Sequence, residues 1–114
     1  MKYLFQNVRA LQALRANPNE ILKVVADANY SIIHFYDGRK LTLAKTLKEC
    51  EGIFEPYPFY RIHRSTIVNL QYGRQLKKNK LIMANSHDLN ISRRRLDGLI
   101  DSIKKNKSSV MFTF

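Results

Sequence analysis

Acidic residues are scarce. The 114-residue chain has 9 Asp and Glu against 20 Lys and Arg, a formal net charge of +11. Such an excess points first to nucleic acid as a partner and second to an anionic membrane surface. Cysteine is nearly absent. The single Cys50 excludes an internal disulfide framework and indicates a reducing, cytoplasmic setting. No run of 18 uncharged apolar residues occurs, which excludes a bilayer-spanning helix, so membrane insertion is not expected. The opening MKYLFQNVRALQ lacks an apolar stretch followed by a small-residue cleavage site, which argues against a secretory signal.

The motifs of catalysis are missing too. There is no HExxH, CxxC, Walker loop or GxSxG, and 4 glycines cannot build a phosphate cradle. The histidines are scattered at 34, 63 and 87. Glu49 and Glu51 are two apart on an expected helix and do not face each other. The chain is therefore not expected to be an enzyme, and no metal or cofactor site is expected. Internal repeats, low-complexity tracts and interdomain linkers are also lacking.

What is present suits one packed domain: 45% hydrophobic residues over a length typical of a single unit. The charge is unevenly placed. Residues 1–57 hold 8 basic and 6 acidic side chains, net +2, whereas residues 58–114 hold 12 and 3, net +9. A directional binding face would produce this split; so, more blandly, would a generally basic soluble surface.

Residues 7–16 (NVRALQALRA) place Val8, Leu11 and Leu14 on one stripe, the pattern of a short amphipathic helix. Asn17-Pro18-Asn19 ends it. Strands are expected over Ile21–Ala26 and Tyr30–Tyr36. The turn residues Asp37-Gly38 then lead into a returning strand, Arg39–Leu43. Thr46, with Glu49 three residues on, forms a capping box for a helix to Phe54, which Pro56 and Pro58 stop. Residues 59–70 alternate roughly. Gly73–Leu76, Lys80–Ala84 and Leu89–Ile91 read as short strands, and Ser92 can cap a helix to about Lys105. The expected fold is mainly β, with short antiparallel sheets and two or three short helices. Without alternating βα units, a doubly wound parallel sheet is not expected.

Two arginine clusters stand out. In Ser92-Arg93-Arg94-Arg95, three cations would occupy the first turn of the helix, each costing about 0.3–1 kcal/mol against the helix dipole. A bound polyanion removes that conflict, and free backbone N–H groups at the same end suit phosphate oxygens. The alternative is a helix that starts later, with solvated arginines. In Arg61-Ile62-His63-Arg64-Ser65, an extended backbone puts Arg61, His63 and Ser65 on one face, and a bend near Arg64 would aim its guanidinium separately. Arginine forks onto guanine edges or phosphates, and serine donates to phosphate. His63 reads either as a hydrogen-bonding structural residue or as a phosphate contact. Lys77 and Lys78, with Lys80, lie at a hairpin connection and read as a solvated turn or a salt-dependent phosphate contact. Asn69 is expected to close a turn through its own side chain, and Cys50 to be a buried, inert thiol.

Taken in order, Ala26-Asp27-Ala28-Asn29-Tyr30, Asp37-Gly38, Thr46-Leu47-Lys48-Glu49, the run FYRIHRSTIVN over 59–69, and Ile91-Ser92-Arg93-Arg94 resemble the LytTR DNA-binding domain of bacterial transcription regulators. The resemblance covers roughly Ile21 to Lys105. It implies a mainly β fold that binds duplex DNA by placing loops in successive major grooves. It further implies that Tyr30 falls in the first contacting loop, that Arg61, Arg64 and Ser65 fall in the second, and that Arg94, flanked by Ser92 and Arg93, falls at a strand-to-helix junction that reads a base. The expected organisation is a helical leader over 1–19, the DNA-binding domain over 20–107 and a tail over 108–114. Members usually follow a receiver or a membrane segment; about 20 preceding residues leave room for neither, so a stand-alone domain is expected and the input signal is open. Expected partners are double-stranded DNA, a second copy on repeated half-sites and an unidentified regulatory protein. The competing readings are a basic module for RNA or single strands, and a protein-interaction or membrane-surface module acting through Val110–Phe114.

Overall fold

The computed structural model describes residues 17–105. The helix read over 7–16 and the tail over 108–114 lie outside the described residues. Within them the chain forms eight strands: β1 (Ile21–Asp27), β2 (Tyr30–Phe35), β3 (Lys40–Leu43), β4 (Phe59–His63), β5 (Thr66–Asn69), β6 (Gly73–Lys77), β7 (Lys80–Met83) and β8 (Asp88–Asn90). Two α-helices, α1 (Leu47–Phe54) and α2 (Leu96–Lys105), accompany three short 3-10 turns. All strand pairs are antiparallel, in a five-stranded sheet ordered β3-β2-β1-β5-β4 and a three-stranded sheet β6-β7-β8. The fold is mainly β, as the sequence predicts.

Local signals act as the physics requires. Asn17 caps the first 3-10 turn and Glu20 closes the box on the Asn17 amide. Thr46 and Glu49 do the same for α1, through Glu49 N–H to Thr46 Oγ1 at 3.2 Å and Thr46 N–H to Glu49 Oε1 at 2.8 Å. Gly38 turns β2 into β3 with φ +99°, a conformation that side chains resist. Residues 59–70 make a hairpin, with a two-residue turn at Arg64-Ser65, because a bulge at Ile62 shifts register and lets His63 pair Thr66.

Two cores sit on opposite faces of the larger sheet. Ile21, Val24, Ile33, Phe35 and Ile67 pack under α1 with Leu47, Cys50 and Phe54. Leu22, Ile62 and Val68 pack on the other face, against the smaller sheet (Leu76, Leu81, Met83) and against Leu99 and Ile103 of α2. Neighbours such as Ile67 and Val68 are both apolar because both faces of β5 are covered. A bulge near Leu22 turns both Leu22 and Lys23 to the second face. Asn69, 1% exposed, ties the parts together: its Nδ2 donates to the carbonyls of Pro18 (3.1 Å) and Ile21 (2.9 Å), and its Oδ1 accepts from the Gln71 amide (3.0 Å).

Candidate nucleic-acid interface

Antiparallel register brings the β1–β2 and β4–β5 turns to one end of the larger sheet. Val25 lies opposite Thr66, and the Ala26 amide donates to the Ser65 carbonyl at 2.8 Å. The β1–β2 tip, with Ala28 at φ 54°, thus projects just past the Arg64-Ser65 turn. Tyr30 leaves that tip 51% exposed.

The β8–α2 junction is fastened beside the same turn. Ser92 N–H donates to the Ile62 carbonyl (2.8 Å), Tyr60 Oη–H to the Arg95 carbonyl (3.0 Å), and Arg95 Nη1 to the Arg61 carbonyl (3.5 Å). Burial pushes the Tyr60 phenol above its ordinary range, which keeps that donor protonated. The arginines occupy a 3-10 turn, Arg93–Arg95, and α2 proper begins at Leu96. This corrects the expectation of a helix capped by Ser92: the residue holds the N-cap position, but its hydroxyl makes no capping bond and is enclosed with no partner among the described residues.

His63, Arg64, Ser92, Arg94 and Arg95 line one open hollow of about 340 Å³. Two arginine-bearing connections, about thirty residues apart in sequence, therefore share a surface. Arg64, Arg93 and Arg94 are exposed and pair with no carboxylate among the described residues. Arg95, which the sequence places in the arginine cluster but not among the expected DNA contacts, belongs to the same lining.

Arg61 stands apart from these. Its side chain is 17% exposed, and its Nη1 meets Glu51 Oε1 at 2.6 Å. Its Nε donates to the His63 carbonyl (3.3 Å) and its Nη2 to the Arg64 carbonyl (2.6 Å). The guanidinium therefore braces the turn that carries Arg64 and is not presented to solvent. Its partner Glu51 is on α1 and had no sequence signal linking it to position 61. His63 Nδ1 accepts from the Ser65 amide (3.3 Å) and faces Ser65 Oγ at 2.9 Å, so this nitrogen closes the turn and a neutral ring carries its proton on Nε2. Lys77 and Lys78 sit at the β6–β7 turn, with Lys78 at φ 57°. The Ile91 amide donates to the Asn79 carbonyl of that turn at 2.9 Å, placing the lysines beside the strand that leads to Ser92. No helix among the described residues is long and apolar enough to cross a membrane.

Comparison with known proteins agrees with this architecture. A family model described as the LytTr DNA-binding domain matches residues 12–104. Among solved structures, the chain is similar to the LytTr DNA-binding domain of a Bacillus cereus protein described as a methyl-accepting/DNA response regulator. The TM-score is 0.67 at 18% identity, over 77% of this chain and 84% of that one. No curated protein matches the sequence significantly. With the family model spanning most of its length, the chain belongs to the LytTr DNA-binding domain family.

Proposed function

We propose that the chain is the sequence-specific, double-stranded-DNA-binding module of a transcription regulator in the cytoplasm, with residues 20–107 as the binding unit. The observation that supports this reading is the shared hollow, in which Arg64 and Arg94 arrive from separate connections and pair with no carboxylate among the described residues. A two-residue turn on strands about 5 Å apart is narrow enough to enter a major groove about 12 Å wide. Arg64 and Arg94 are the base readers. Each forked contact is worth about 1–3 kcal/mol of discrimination. Arg93 and the Lys77-Lys78 turn hold flanking phosphates, while Ser92, with its N–H on the Ile62 carbonyl and its hydroxyl enclosed, positions the junction and does not touch the duplex. Tyr30, on the neighbouring tip, touches the adjoining groove. Arg61 and Ser65, with His63, keep the second turn in shape, and His63, which lines the hollow, also offers its Nε2–H to a phosphate. Two copies on repeated half-sites would multiply affinity, and a regulatory protein would supply the input.

The test is selection of bound duplexes from a random pool, followed by binding of variants to a panel of permuted sites. Arg94→Ala is expected to relax preference at one base position. Lys78→Ala is expected to weaken all duplexes about equally and to flatten the salt dependence. Uniform loss in both variants, or single strands outcompeting duplex, would refute the assignment.

A further inference from the structure

A second basic hollow lies away from these connections. On the second face of the larger sheet, Lys23, His34 and Lys40 stand side by side on β1, β2 and β3: Lys23 opposite His34, and His34 opposite Lys40. Directly opposed residues share a face, with Cβ atoms about 4.5–5.5 Å apart, and like charges so placed destabilise a sheet. The second core takes Leu22, Ile62 and Val68 from this face, and the row stands beside it, half-buried at Lys23 and His34 and exposed at Lys40. The three side chains line a hollow of about 330 Å³, together with Asn85 and His87 from the β7–β8 connection. That volume suits a small ligand.

No acid among the described residues lines the hollow. Glu20, which precedes β1, and Asp37, which follows β2 in the chain, pair with Arg39 at 3.9 and 2.7 Å. Neither Lys23 nor Lys40 has an ion pair among the described residues. Burial first, then Lys23 and Lys40, hold the His34 imidazole below its ordinary range. A compact anion reverses each of these penalties: it screens the two ammonium groups from each other and gives the imidazole a reason to hold its proton. A phosphate, carrying about −1.5 to −2 near neutrality with three acceptor oxygens, matches two ammonium groups and a ring N–H.

We propose that this hollow is a second anion site, binding the phosphate group of a small phosphorylated compound through Lys23, His34 and Lys40. The row lies five residues back along β1 from the tip at Ala28, roughly 16 Å at about 3.3 Å per residue. That offset favours a free ligand over the backbone of a duplex held by the tip. The inference stands whether or not the arginine hollow reads bases.

The test follows the ring signals of His34, His63 and His87 by NMR in the full chain. Inorganic phosphate is added, with sodium chloride of equal ionic strength as the control, and a duplex is titrated in a parallel sample. Phosphate is expected to shift His34 saturably and to raise its titration midpoint. In the double variant Lys23→Gln, Lys40→Gln the affinity read at His34 is expected to fall about tenfold or more, while His63, beside the arginines, responds as before. A silent His34 in the wild-type chain, or a response unchanged by the two substitutions, overturns the proposal. A shift produced by duplex alone assigns the row to DNA phosphates and overturns the small-ligand assignment. The wild-type titration needs no variant to be decisive.

Discussion

Gly98 tests how the arginine turn is held. It lies in the first turn of α2, where alanine is favoured over glycine by up to about 1 kcal/mol. Helix propensity alone therefore predicts that Gly98→Ala stabilises. The packing predicts the opposite, because a Cβ built at this position overlaps the Tyr60 hydroxyl, the group that donates to the Arg95 carbonyl. Forcing the ring aside costs about 1–3 kcal/mol of overpacking, plus about 1 kcal/mol for the lost hydrogen bond. Net destabilisation of about 1–3 kcal/mol is expected. Tyr60→Phe removes the hydroxyl and leaves the ring carbon Cζ 3.2 Å from the new methyl, a contact that a few tenths of an ångström relieve. In that background Gly98→Ala is expected to be neutral or stabilising by up to ~1 kcal/mol. Urea unfolding of the four proteins completes a double-mutant cycle. Equal effects of Gly98→Ala in both backgrounds, or stabilisation of the wild-type chain, would show that Tyr60 does not fasten the junction as described.

Other consequences are simpler to state. Asn69→Ala removes two buried hydrogen bonds and one half-buried one, so a loss of about 2–4 kcal/mol is expected by denaturation. A loss under 0.5 kcal/mol, which is about the size of an ordinary surface substitution, would mean that the two carbonyls find other donors. Cys50 is fully enclosed and burial pushes its thiol upward, so alkylation in the native chain is expected to track global unfolding; fast modification without unfolding would contradict this. His34 is held low in the folded state by burial, Lys23 and Lys40, so the unfolded chain binds more protons as pH falls through the ordinary imidazole value of 6.5. In phosphate-free buffer, stability is therefore expected to decline below about that pH, well above the carboxylate range. His34→Gln should flatten the decline, and an unchanged slope would assign it to other groups.

The parts of the fold legible in the sequence are those fixed by neighbours in the chain. The Thr46–Glu49 box, the turn at Gly38 and the apolar strands β1 and β2 each arise within a few residues, and each forms as read. The hairpin inside residues 59–70 was less visible. No Asn-Gly or Asp-Gly pair marks its turn, and the bulge at Ile62 breaks the alternation that would have revealed two strands. The start of α2 was misplaced for a related reason: a serine before three arginines resembles a cap, but the enclosed Ser92 hydroxyl accepts from none of the amides that follow it.

At the candidate interface, sequence could identify which side chains are cationic but not which remain available. Arg61 and Arg64 look equivalent in a linear reading. Separation comes from α1, whose Glu51 reaches β4 and fixes one guanidinium where it also grips the carbonyls of His63 and Arg64. Holding two carbonyls and a carboxylate at once needs the planar, multi-donor fork of arginine; lysine offers a single point charge on a flexible stem. The exposed partner benefits from this arrangement. A two-residue turn free to flex would lose ordering entropy on binding, whereas a turn already braced from beneath presents Arg64 with part of that cost met during folding. The junction carrying Arg94 is secured in the same manner, by backbone bonds from Ile62 and the Tyr60 hydroxyl. β4 thus anchors both connections, and the relative placement of Arg64 and Arg94 depends on one strand rather than on two independent loops.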